Sequence, residues 1–185
     1  MTCGTQSIPE RADGRETMID GENIVAQRAQ ASDGERVAGL VTDALRGSVE
    51  IDAQTVISRL GDSGFFLAEQ HGTLAGLIGW HVENLVACVT DLLIGSDCGR
   101  MQVGRTLFRE MESAATELYA EAALLLLPRP SGPTLIEFCG ALGYERRVVA
   151  DLPSSWREAA REAGREDDET ILIKELRSER VVCPL

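Results

Sequence analysis

Apolar positions along this chain recur with two periods, and the switches between them mark out its elements. Ile24, Ala26 and Ala29 are the apolar members of Asn23 to Gln30, which reads as a strand. Val37, Leu40, Val41 and Leu45 then follow at intervals of three and four, which predicts a helix with Ser32 and Asp33 as capping residues and Gly47 as its stop. Asp52 reads as the cap of a second, shorter helix with Val56, Ile57 and Leu60 on its inner face and Gly61 past its end. Phe65 to Glu69 and Leu74 to Val82 are strand-length apolar runs joined by the turn former Gln70-His71-Gly72-Thr73, so they predict a hairpin. Val86 to Ile94 is a third strand. Gly76 and Gly79 within the second run mark close packing or a bulge.

From Met101 the period becomes helical again, with Val103, Leu107, Met111, Ala114 and Leu118 as the apolar stripe and Arg105, Arg109, Glu110 and Glu117 outside it. Ala122 to Leu127 is apolar on both alternating faces, the pattern of a strand covered on both sides. Pro128 and Pro130 break it. Pro133 opens a helix through Leu135, Ile136, Phe138 and Leu142 that stops at Gly143. Tyr144 to Val149 and Thr170 to Leu176 are the last two strands. Between them Asp151 to Asp168 is polar, with Trp156 as a lone anchor and the mixed charge of a solvated helix. The order is strand, two helices, three strands, helix, strand, helix, two strands, which predicts an α+β fold with a mixed sheet. The expected organisation is a tail over 1–21, one domain over 22–177 and a short tail over 178–185.

Composition narrows the function classes. Asp and Glu number 30 against 18 Lys and Arg, a net charge of −12, which disfavours nucleic acid and anionic membranes as partners. No apolar run approaches the ~20 residues that cross a bilayer. Glu10, Arg11, Asp13 and Arg15 interrupt the region where a secretory signal needs apolar residues, so the expected compartment is the cytoplasm. Five cysteines without a CxxC pair and only two histidines point to neither a disulfide framework nor a metal site.

The stretch from Asp91 to Arg105 is the one that suggests chemistry. It runs from strand through loop into the start of a helix, where backbone N–H groups and the helix dipole favour an anion such as a phosphate or pyrophosphate. Arg100 and Arg105 add positive charge there. Leu92-Leu93-Ile94 at the strand end, then Gly99-Arg100-Met101-Gln102-Val103-Gly104 and Arg105, resemble the strand and phosphate loop of the acyl-coenzyme A-dependent N-acyltransferases of the GNAT superfamily. Phe138-Cys139-Gly140-Ala141-Leu142-Gly143-Tyr144 is similar to that family's Phe-Tyr-x-x-Leu-Gly-Phe, and Ile171 to Leu176 is similar to its closing strand. The likeness spans roughly Asn23 to Leu176.

The resemblance implies a GNAT-like fold: a mostly antiparallel twisted sheet of about seven strands, flanked by about four helices, splayed into a V between strands 4 and 5. It implies acetyl-coenzyme A as co-substrate, bound through Leu92, Leu93, Ile94 and Gly99 to Arg105, and transfer of its acetyl group to an amine of a small molecule or peptide. Asp91 matches the carboxylate that serves as base near the strand; Glu83 is the alternative, and His81 is a further strand residue with suitable chemistry. His71 reads as an exposed turn residue. The family's usual loop Arg/Gln is Gly99 here, its first loop glycine is Gln102, the asparagine often found after the buried strand is replaced within Pro130-Ser131-Gly132, and its general-acid tyrosine is Cys139. A thiol can protonate a leaving thiolate, so Cys139 stands as candidate acid; its other reading is a small core residue. These departures support a second expectation, a catalytically degenerate module that senses coenzyme A or dimerises. A homodimer is compatible with either.

Overall fold

The computed structural model describes residues 24–44, 52–62, 64–95, 99–126 and 133–177. Seven strands make one sheet: β1 (Ile24–Arg28), β2 (Gly64–Gln70), β3 (Thr73–Glu83), β4 (Val86–Ile94), β5 (Ala122–Leu125), β6 (Glu145–Val148) and β7 (Thr170–Glu175). Their order is β1-β2-β3-β4-β5-β7-β6. All neighbours are antiparallel except β4 and β5, which run parallel. The hairpins are tight because His71 and Gly72, and then Asn84 and Leu85, all take positive φ, as a two-residue loop matched to strand twist requires. A parallel pair needs a long crossover, and α3 (Arg100–Glu117) lies within it.

Helices cover both faces. α3 and α4 (Pro133–Ala141) lie on one, where Val103, Leu107, Phe108 and Met111 meet Ile78, Trp80, Val89 and Ala123 in the main core. α1 (Gly34–Ala44) and α2 (Ala53–Asp62) pack on the other over Phe65, Leu67 and Leu77. Beside them α5 (Ser154–Glu162) covers Val86, Cys88, Ala122 and Leu124. Predicted element order and fold class agree with this architecture, and the strand limits move by two residues at most.

α5 raises the helix count among the described residues to five and corrects the reading of Trp156 as a lone anchor. Trp156, Ala159 and Ala160 are all buried, one stripe at i, i+3 and i+4. The Trp156 indole N–H donates to Glu121 Oε2 at 3.1 Å in the interior. Two of the three buried residues are alanines, whose small apolar surface hardly registers in a polar stretch.

Asp52 caps α2 as expected, its carboxylate accepting from Thr55 N–H at 3.0 Å and from Thr55 Oγ1–H at 2.7 Å. Asp33 ends a short 3-10 turn directly before α1, where its carboxylate accepts from Gln30 N–H at 2.9 Å and Arg36 Nη1 at 3.0 Å. Leu45, Gly47, the side chain of Leu60, the prolines at 128 and 130 with Ser131 and Gly132, and both expected tails lie outside the described residues.

Candidate functional site

β4 is broken by a bulge. Its register with β3 runs Cys88 to His81 and Val89 to Trp80, then resumes at Asp91 with Gly79, so Thr90 is the extra residue. Below the bulge the carbonyls of Leu85 and Val89 accept from Glu121 N–H (2.7 Å) and Leu126 N–H (2.9 Å) on the β5 side. Above it Gly95 N–H donates to Ala75 O on the β3 side at 2.8 Å. Alternation along the strand then turns the backbone groups of Asp91 and Leu93 towards β3 and those of Leu92 and Ile94 away from it. β5 ends at Leu125, opposite Val89, so among the described residues nothing pairs with Leu92 and Ile94 on that side, and they face the mouth of a V between the two strands. This is the predicted splay, and the bulge is where it begins.

The same extra residue redirects side chains. Ala87 and Val89 pack in the α3-side core, and above the bulge Leu92 and Ile94 take that side. Asp91 and Leu93 therefore face α1 and α2, where an unbroken alternation would have put them under α3. Asp91 meets Arg59 of α2, whose Nη2 donates to Oδ1 at 2.8 Å and Oδ2 at 3.0 Å, and Thr90 Oγ1 donates to Oδ2 at 2.9 Å. The Arg59 side chain is 63% exposed, so the pair is a weak tie of about 0.2–1 kcal/mol. Gly79 makes the crossing possible: a Cβ there would lie 2.5 Å from Phe65 Cε1 and 2.9 Å from Asp91 Oδ2. A cavity of about 240 Å³ opens beside the pair, lined by Val37, Val41, Val56, Phe65 and Leu77 among others.

The start of α3 carries the other half of the predicted site. Val103 N–H donates to Gly99 O at 2.9 Å, closing the first turn. The amides of Arg100, Met101 and Gln102 precede that turn and have no partner within the helix. Their side chains are exposed, as is that of Arg105. Residues 96–98 lie outside the described residues. Two of the expected cofactor contacts are also engaged by the fold itself. The Val103 amide is already used and its side chain is buried in the core. Gly104 is a packing glycine: a Cβ there would lie 2.2 Å from Phe138 Cζ and 3.1 Å from Ile94 Cδ1, so its missing side chain lets α4 lie against α3. Leu93 likewise points its backbone at β3, away from the V.

Other candidates fall elsewhere. Glu83 pairs with Val86 at the closed end of β4, about 16 Å from Asp91 at ~3.3 Å per residue, beside Asn84 and Glu162. It cannot share a site with Asp91. Cys139 is fully buried in the α3-side core and burial pushes its thiol up to about 11, so it packs and reaches no groove. His71 is exposed in the hairpin turn. His81 opposes Cys88, which lies on the α5 side, so its half-buried ring shares the face of Asp91 as a diagonal neighbour across the pair of strands. Arg59 was invisible to sequence reasoning, because nothing local in Ala53–Asp62 distinguishes it from any surface arginine. Among the described residues no cluster of three His, Cys, Asp or Glu side chains could hold a metal, and no helix is long and apolar enough to cross a membrane.

No family model and no curated protein matches the sequence. Solved structures do match the fold. A GNAT-family acetyltransferase from Staphylococcus aureus Mu50 aligns over 83% of this chain and 99% of its own, with TM-score 0.62 and 16% identity. The PaiA N-acetyltransferase of Thermoplasma acidophilum, solved with coenzyme A, aligns over 82% and 98%, with TM-score 0.60 and 14% identity. The ribosomal-protein-S18-alanine N-acetyltransferase of Escherichia coli aligns over 88% and 99%, with TM-score 0.59 and 15% identity. The chain has the fold of the GNAT acetyltransferases.

Proposed function

We propose that this chain is an N-acyltransferase that moves an acetyl group from acetyl-coenzyme A to the amine of a small molecule or peptide. The bulge at Thr90 carries the reading. It ends the pairing with β5, turns the backbone groups of Leu92 and Ile94 into the open V, and sets Asp91 on the opposite face beside a separate cavity. Donor and acceptor thus have distinct approaches to one stretch of strand. The coenzyme A in the Thermoplasma structure and the alanine acetylation in the name of the Escherichia coli protein support the reading.

The residues present fit the donor. Leu92 and Ile94 offer backbone groups without a partner among the described residues to an extended amide chain and an N–H to a thioester carbonyl. The amides of Arg100 to Gln102, with the Arg100 and Arg105 side chains, suit a diphosphate. Bound acetyl-coenzyme A supplies an activated acyl carbon. Asp91 receives the acceptor's ammonium and, through water, one of its protons; His81 lies on the same face as a diagonal neighbour. The acceptor nitrogen forms a bond to the acyl carbon, the carbon–sulfur bond breaks, and the thiolate takes up one proton while a second leaves to solvent. Cys139 is enclosed and supplies none. Holding the reactants together accounts for most of the acceleration in such a scheme.

Calorimetric titration tests the donor site. Acetyl-coenzyme A and coenzyme A should both bind, free adenine nucleotide weakly, and Arg100→Ala with Arg105→Ala should lower affinity about tenfold or more. Unchanged affinity in the double variant removes the diphosphate from α3, and no binding at millimolar ligand ends the transferase reading. A second reading, coenzyme A binding without turnover, is favoured by one observation: Arg59 already occupies Asp91. Thiol release with an amine panel decides against it, and binding without release across the panel decides for it.

A further inference from the structure

The geometry points to a free α-amino acid with an apolar side chain as the acceptor, an inference that rests on the placement of the acceptor beside Asp91 in the proposed function. The cavity on that face is shaped for a substituent. At about 240 Å³ it falls below the usual range for whole ligands, ~300–1,000 Å³, and its apolar lining includes Val37, Val41, Val56, Phe65 and Leu77. Its polar side chains are Thr55, Arg59 and Asp91. Asp52 already takes the Thr55 hydroxyl at 2.7 Å, which leaves the Arg59–Asp91 pair as the polar feature open to a ligand.

A carboxylate and a guanidinium 2.8 Å apart present adjacent charges of opposite sign. The backbone end of an amino acid presents the same two charges in complementary order, with one carbon between them. Asp91 suits the ammonium. Arg59 gives only Nη2 to Asp91, so Nε–H and Nη1–H have no partner among the described residues and can donate to a second carboxylate. With the ammonium on Asp91, the nitrogen sits beside the strand whose next residue, Leu92, faces the V. The side chain then enters the apolar cavity. A peptide N-terminus has no carboxylate at that distance and leaves half of the charge pair unused. Transfer would form the N-acetyl amino acid and coenzyme A, with the proton balance given above.

The test measures binding directly, so that it does not depend on turnover. The full chain is titrated with L-leucine, L-leucinamide and the dipeptide Leu-Gly, and in parallel with acetyl-coenzyme A. L-Leucine should bind about tenfold or more tightly than the other two. Arg59→Gln should erase that preference by weakening leucine alone, with acetyl-coenzyme A affinity unchanged. Val41→Phe, which fills the cavity, should shift the preference from leucine to alanine. Equal binding of leucine and leucinamide, equal losses for both in Arg59→Gln, or no binding of leucine at millimolar concentration overturns the inference. If acetyl-coenzyme A binds but the carboxylate makes no difference, the acceptor class is wrong and the transferase reading survives. If leucine binds with the expected preference but acetyl-coenzyme A does not bind, the pocket is assigned and the transferase reading falls.

Discussion

The two halves of β4 differ in almost every respect. Below the bulge, Val86 to Val89 pair with β3 on one side and β5 on the other, and all four residues are 0% exposed. Above it, Asp91 to Ile94 pair, among the described residues, with β3 alone, and every residue is partly exposed. The lower half behaves as a core strand, its side chains held between α3 on one face and α5 on the other. The upper half gives up one hydrogen-bonding partner and half of its cover. A buried strand edge left unsatisfied is costly, so an edge of this kind persists where solvent or a ligand answers it. One extra residue therefore separates a part that holds the fold from a part whose outer edge no described strand covers.

The largest effect that would sharpen this contrast comes from the lower half. Leu124 is fully buried opposite Cys88 and Ile173, and Leu124→Ala should cost about 2–5 kcal/mol in urea unfolding. A loss under ~1 kcal/mol would mean that this half is no more structural than the other. Next is the bulge itself. Gly79→Ala forces a methyl against Phe65 and the Asp91 carboxylate, an overpacking of about 1–3 kcal/mol, and it should also weaken amine-ligand binding while leaving acetyl-coenzyme A affinity intact. Equal loss of both ligands would show that the bulge does not separate two faces.

The smallest effect lies at the start of α2, the helix that carries Arg59. Hydrogen bonds from Thr55 hold the Asp52 carboxyl below its ordinary value, so its contribution to α2 is present above the unfolded-state pKa and fades as pH falls through the lower folded value. Asp52→Ala should lower Tm slightly near neutral pH and leave it unchanged well below pH ~4. A Tm difference that persists in acid would deny the cap this role.

How far the sequence discloses each of these features depends on whether the cause is local. The limits of β4, Val86 to Ile94, were legible because an apolar run bounded by turn residues needs no knowledge of its neighbours. α2 was legible for the same reason: Asp52 and the spacing after it act within a few residues. Gly79 hinted at a bulge, but only the residue opposite can say that Thr90 is the extra one. The face of Asp91, the distance of Glu83, the burial of Cys139 and the partnership with Arg59 all follow from what lies across the sheet or above it. Gly104 shows the limit well. Its place in a phosphate-loop pattern is real in sequence, yet Phe138, 34 positions later, explains why no side chain fits there.

The sequence by itself determined the elements, their order and hence the class of fold, because periodicity, caps and turn residues act over a handful of positions. Tertiary structure alone decided which groups share a site. A strand's alternation assigns two faces but does not say which face meets which helix. One unpaired residue at Thr90 exchanges those faces for everything that follows it, and with them Asp91 passes from a core position to the rim of a cavity.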